Sequence, residues 1–235
     1  YVGHKAAKMM KRSKSLDDRR DKMIGEKQKL LKNIERQDDL KILPLKFHSG
    51  RLLEVSDLSI CYGEEPVLRG VNFTVEEGDR IALSGKNGSG KSSILKLVCG
   101  EDIPYKGKIY KNQQLVVSCI SQNADGLRGS LREYASFRKI EEHLLKSYLI
   151  KLGFSRQQLD RNMERLSSGQ KKKILLAASL CEKAHLYVWD EPLNYIDVIS
   201  RMQLEELLLE FHPTLLFVEH DQVFCDKIAT KTVRL

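Results

Sequence analysis

The chain has 235 residues, 41% hydrophobic and 31% charged, with 40 Lys/Arg against 32 Asp/Glu. That apolar fraction builds one sizeable core and excludes a disordered chain, while no apolar run approaches the roughly 20 residues needed to cross a bilayer. Five scattered cysteines with no C-x-x-C pair count against a disulfide framework and a zinc site, so a reducing cytosol is the simplest setting. The chain opens at Tyr1 without an initiator methionine or an apolar signal core, and reads as a piece of something longer.

Residues 1–43 carry thirteen Lys/Arg against seven Asp/Glu and no proline, and are rich in Lys, Arg, Glu, Gln, Leu and Met. These are good helix formers, so the segment reads as one long helix. Val2, Met9, Leu16, Met23 and Leu30 recur every seven residues, with Ala6 and Ile34 beside them. Such a narrow stripe asks for a partner helix. At the far end Lys5, Lys8, Lys11, Arg12 and Lys14 stand together with no acid among the first fourteen residues. The tip is either a solvated helix face or a surface for nucleic-acid phosphates. Residues 41–50 (KILPLKFHSG) have helix-stopping chemistry and read as a linker.

From residue 51 the pattern changes to short β-type runs, LLEVSDLSICY, VLRGVNFTV and DRIALSG. The last leads into GKNGSGKS at residues 85–92, with the apolar helical stretch SILKLV after it, which is a P-loop between strand and helix. Its glycines turn backbone N–H groups onto phosphates, Lys91 reaches the β- and γ-phosphates, and Ser92 can ligate magnesium. Residues 166–170 (LSSGQ) precede the helical run KKKILLAASL, which puts small residues at a helix N-terminus suited to an anion or simply to capping. Further on, HLYVWDEP reads as an apolar strand ending at Asp190, placed to hold magnesium through water, followed by Glu191 as candidate general base. A final apolar strand, TLLFVEHD, delivers His220 and Asp221.

These motifs, in this order, resemble an ATP-binding cassette (ABC) ATPase over residues 51–235. The resemblance implies an α/β P-loop NTPase with a mixed-sheet core, an antiparallel β subdomain and a small helical subdomain, here preceded by a long helix. Residues 1–43 would be the linker helix, half of an antiparallel hairpin, and 44–235 the ATP-binding domain. ATP and Mg2+ are the implied cofactors. Gly85, Lys86, Asn87, Gly88, Ser89, Gly90, Lys91, Ser92 and Ser93 match the phosphate cradle, and Tyr62 matches the aromatic that stacks on adenine. Gln122, after LVVSCIS, matches the glutamine that senses magnesium and the attacking water, so Ser92, Gln122 and Asp190 are the implied metal set. His220 matches the switch histidine on the γ-phosphate. Leu166, Ser167, Ser168, Gly169 and Gln170 match the signature that completes the ATP site of a partner cassette, with Ser168 where glycine is usual. Asn194 and Asp197 match the loop that crosses to that partner.

An ABC transport ATPase is one implied function. Against it stand the compact 43-residue span between Gln122 and Leu166 and the long basic helix. That helix, together with EPLNYID and GQKKKILLAASLCEKAHLY, is similar to the ABC-F family, whose members join two cassettes by a helical hairpin, lack a membrane domain and bind the ribosome at the tRNA exit site. On that resemblance Lys5, Lys8, Lys11, Arg12 and Lys14 contact ribosomal RNA, the second cassette belongs to the same full-length chain, and the protein is cytoplasmic. HKAAKMMKRSK and EPLNYID resemble most the antibiotic-resistance members that protect ribosomes from lincosamide, streptogramin A and pleuromutilin drugs, with a housekeeping translation factor as the alternative.

Overall fold

In the β6 strand Leu186–Asp190 every residue is buried, and its side chains divide between two cores by the alternation of the pleat. Tyr187 and Trp189 enter one cluster, and Leu186 and Val188 the other. Strand β7, Leu215–Val218, repeats this, with Leu215 and Phe217 on the first side and Leu216 and Val218 on the second. Continuous apolar runs of this kind are what a parallel sheet covered on both faces requires. The computed structural model describes residues 41–47, 50–62, 66–120, 124 and 126–235.

The five-stranded sheet has the order β5-β6-β7-β3-β8, with β3 at Arg80–Ser84, β5 at Val117–Ile120 and β8 at Lys231–Arg234, and its registered pairs are parallel. One face is covered by helix α1 (Lys91–Cys99), through Ile94, Leu95 and Val98, and by a three-stranded antiparallel sheet of order β2-β1-β4. That sheet consists of β1 (Arg51–Cys61), β2 (Pro66–Glu76) and β4 (Tyr105–Lys111), and Leu53↔Val75 and Val55↔Phe73 pair apolar residues toward the shared core.

The other face receives a helical layer. Helices α2 (Leu131–Arg138), α3 (Glu142–Lys151) and the short α4 (Arg156–Leu159) lie between β5 and α5 (Ser168–Cys181), while α6 (Val198–Phe211) and α7 (Gln222–Ile228) flank β7. Helix α5 buries Ile174, Leu175, Leu176, Ala177, Ala178 and Leu180, and the Trp189 indole donates to Ser179 Oγ at 2.9 Å. The residues described from 41 onward form one compact unit reaching Leu235.

Residues 41–47 dock on this unit. Ile42 is fully buried, Leu45 N–H donates to Ala184 O at 2.8 Å, and the Tyr148 hydroxyl accepts from Lys41 N–H while donating to Lys41 O. The expected helix before residue 41, with its apolar stripe and basic tip, lies outside the described residues.

The cysteines depart from the sequence reading. Cys99 at the end of α1 and Cys119 in β5 form a disulfide with 6.3 Å between their Cα atoms, while Cys61, Cys181 and Cys225 are free. The sequence shows only a spacing of 20 residues; the packing of the α1 terminus beside β5 is what brings the two sulfurs together. Alkylation of the denatured, unreduced protein is therefore expected to modify Cys61, Cys181 and Cys225, with Cys99 and Cys119 labelled only after reduction. Labelling of all five without reductant would show the pair open under the conditions of purification.

Candidate active site

Helix α1 begins where β3 ends, and the loop between them has the backbone that its glycines permit. Gly88 and Gly90 sit at φ of 81° and 90°, left-handed values that side chains resist. Gly90 is the N-cap of α1 and makes no side-chain cap, so the first N–H groups of the helix stay available to an anion. The Lys91 ammonium donates to Gly85 O and Lys86 O, both at 2.9 Å, and spans the loop. A cavity of about 510 Å³ opens here, lined by Asn87, Lys91, Ser92 and Ser93 together with Glu191 and His220 from two other strand ends. Tyr62 stands at its rim, 54% exposed, with its hydroxyl 3.0 Å from Ser93 Oγ. An exposed ring beside the phosphate loop is free to stack on a base.

The carboxylates arrive at the ends of β6 and β7. Asp190 is 3% exposed, and burial pushes its carboxyl up from the ordinary range while a Ser92 hydroxyl bond pulls it down. Its Oδ1 is buried with no hydrogen-bond partner. A hard cation with oxygen ligands fits that orphan atom and the neighbouring Ser92, and magnesium is held by one or two protein oxygens plus phosphates and water. Among the described residues there is no cluster of three or more His, Cys, Asp or Glu that would form an all-protein metal cage. The third expected metal residue, Gln122, lies outside the described residues.

Glu191 sits at φ 50°, a left-handed value that costs a non-glycine residue on the order of 1 kcal/mol. The bond from its N–H to Val218 O, 3.0 Å, holds it there. Its carboxylate accepts from Asn194 Nδ2 at 2.6 Å and meets His220 Nε2 at 3.2 Å. The structure thus joins Glu191, His220 and Asn194, although the sequence reading placed Asn194 only in the inter-cassette loop. Beneath them lies a residue the sequence reading did not single out. Lys172 of α5 is 4% exposed, donates to Asp190 O at 2.7 Å, and its ammonium is pushed down by burial against the opposing pull of Asp190, Glu191 and Glu219. A run of three lysines at a helix start was the available signal, but only the fold shows which one turns inward.

The signature residues form a second site. Ser167 caps α5 in a reciprocal box with Gln170, at 3.2 and 2.9 Å, and Leu166 is buried. Ser167, Ser168, Gly169 and Gln170 line a separate cavity of about 580 Å³ with Phe154, Lys173 and Tyr195. Tyr195, at φ 68° and 70% exposed, lies over Gly169, where an added Cβ would come within 2.9 Å of the tyrosine Cβ. Asp197 caps α6 through Ser200 and accepts from Lys173 at 3.2 Å, fixing the 191–197 loop to the signature helix. The two cavities share no lining residue.

The family profile described as "ABC transporter" matches residues 68–194. The chain is 32% identical over 182 residues to the ribosome protection protein VmlR of Bacillus subtilis, covering 75% of this chain and 33% of that protein. It is 27% identical over 220 residues to ABC transporter F family member 5 of Arabidopsis thaliana, covering 89% of this chain and 32% of that one. The chain belongs to the ABC ATPase family, in its ABC-F branch. A solved ATP-binding subunit of an ABC transporter superposes with a TM-score of 0.66 at 25% identity, covering 78% of this chain and 85% of that structure. The fold of this ABC cassette is accordingly the one the motifs imply, an ATP-hydrolysing type. It spans about a third of the length of the curated relatives it matches. No helix among the described residues of the cassette is long and apolar enough to cross a membrane.

Proposed function

We propose that this chain is an ATP-hydrolysing cassette, with part of the inter-cassette linker, of a cytoplasmic two-cassette ABC-F factor that acts on the ribosome and protects it from antibiotics. The observation that carries the two-cassette reading is the separation of the cavities. The P-loop site holds Lys91, Ser92, Glu191 and His220, and the signature lines a different opening, so each ATP site needs a second cassette for completion. Residues 1–43 are the returning linker arm and 44–235 the ATP-binding domain.

The cradle of residues 85–93 binds the phosphates, and Tyr62 stacks on adenine. Ser92, Asp190 and Gln122 hold magnesium, which when bound neutralises charge on the β- and γ-phosphates. Glu191 takes the proton of the attacking water, with His220 and Asn194 fixing its carboxylate. Leu166, Ser167, Ser168, Gly169 and Gln170 close over the partner's ATP, and the loop that carries Asn194 and Asp197 faces that partner. ATP binding closes the cassettes into the ribosome-binding shape and hydrolysis reopens them, because only the closed form makes the differential contacts.

The similarity to a ribosome protection protein supports the ribosomal part, as does the acid-free basic run of Lys5, Lys8, Lys11, Arg12 and Lys14, suited to RNA phosphates. The test is co-sedimentation of full-length Glu191→Gln protein with ribosomes through a sucrose cushion. Pelleting with ATP and not without it is expected, and charge reversal at Lys8, Lys11 and Arg12 should weaken it and flatten its salt dependence. Failure to pellet would favour a transport ATPase. Ribosomes that pellet with the factor should also have lost bound lincosamide; retention of the drug would favour the housekeeping translation factor.

A further inference from the structure

Between Val218, which ends β7, and His220 stands Glu219, which none of the roles above uses. Both of its carboxylate oxygens are taken by main-chain donors from two different turns. The N–H of Leu193, two residues past Glu191, donates to Oε2 at 3.1 Å. His220 N–H donates to Oε1 at 2.7 Å, and Asp221 N–H reaches the same oxygen at 3.5 Å. One side chain therefore spans the turn that carries Glu191 and the turn that carries His220. The 3.2 Å contact between Glu191 and His220 depends on the spacing of those turns.

An extra carboxylate in the chain between Val218 and His220, two residues that line a cavity suited to a polyanion, is electrostatically unfavourable. Its position beside Lys172 answers this. Lys172 is buried under Asp190 and within electrostatic reach of Asp190, Glu191 and Glu219, so it supplies positive charge to all three acids. Lys172 opens the second turn of α5, the helix whose N-terminus is the signature, so the countercharge comes from the element proposed to contact the partner's nucleotide.

We infer that Glu219 is a positioning residue for ATP hydrolysis, its carboxylate clamping the Leu193 and His220 amides so that Glu191 and His220 face the attacking water and terminal phosphate at a fixed separation. This rests on Glu191 and His220 being the hydrolytic pair. A glutamine at 219 keeps the shape but has one acceptor, and sets its NH2 group against one of the two amide donors. Aspartate keeps both acceptors on a shorter stem. In the full-length protein, Glu219→Gln is expected to lower kcat at this site by about tenfold or more, since a small misplacement of a catalytic group is costly. KM, the affinity for a fluorescent ATP analogue and the thermal midpoint should stay unchanged, and Glu219→Asp should recover part of kcat. Unchanged kcat in Glu219→Gln would overturn the inference. So would a fall in nucleotide affinity or thermal midpoint that parallels the loss of kcat, or an aspartate variant no better than glutamine. Wild-type turnover in Glu191→Gln alone would instead remove the hydrolytic pair on which the inference stands.

Discussion

Glu191→Gln is expected to lower ATP turnover at the site it lines by about 10²-fold or more, within the range that a general base contributes, and to leave nucleotide binding intact. The substitution changes little besides basicity. A glutamine in the same rotamer still accepts the Asn194 amide, now 2.6 Å from Oε2, and its own NH2 group can face a neutral His220. The left-handed backbone at residue 191 is held by its N–H bond to Val218 O and by the parallel pairing of Asp190 with Val218, neither of which involves the side chain. Fold and pocket should therefore survive, and the loss appears in kcat alone, about 2.7 kcal/mol of transition-state stabilisation for 10²-fold. Phosphate release and fluorescent-nucleotide titration on the same sample separate the two effects. Turnover at the wild-type rate would withdraw Glu191 as the base.

The parts of this cassette that were legible in the sequence share a physical cause. Strands β3, β6 and β7 are buried on both faces, so they appear as unbroken apolar runs, and their chemistry sits where each run stops, at Gly85, Asp190 and His220. Strand β4 was missed for the opposite reason. Its sequence YKGKIYK is exposed except at Ile109, as an edge strand paired only with β1, and it carries no apolar period. Contacts made through the backbone left no residue-type signal at all. Glu219 reads as one acid before a histidine until Leu193 N–H is seen upon it. The side-chain amide of Asn194 reaches Glu191 only because of the tight turn between them. Lys172 and the Cys99–Cys119 pair required knowing which helix face meets which strand.

Lys91→Met is expected to cost about 10²-fold or more in ATP affinity, the scale of losing one or two hydrogen bonds between an ammonium and a charged acceptor. The ammonium already lies where the phosphates would enter, donating to Gly85 O and Lys86 O from a residue only 8% exposed. A phosphate competes for those donors with a full negative charge against two carbonyl dipoles, so the exchange favours the nucleotide. Methionine has similar length and none of the three donors. Its effect on folding should be modest, because α1 is anchored in the core by Ile94, Leu95 and Val98, and methionine keeps the apolar stem of the lysine on that same buried face. Arginine is not expected to rescue binding, since its planar fork is larger and differently directed than a compact ammonium. The measurement is a fluorescent-nucleotide titration, with emission of Trp189, the single tryptophan, as the control for an intact core beside Asp190. Affinity within a few-fold of wild type, with that emission unchanged, would mean that the P-loop amides and the α1 N-terminus hold the triphosphate without the lysine.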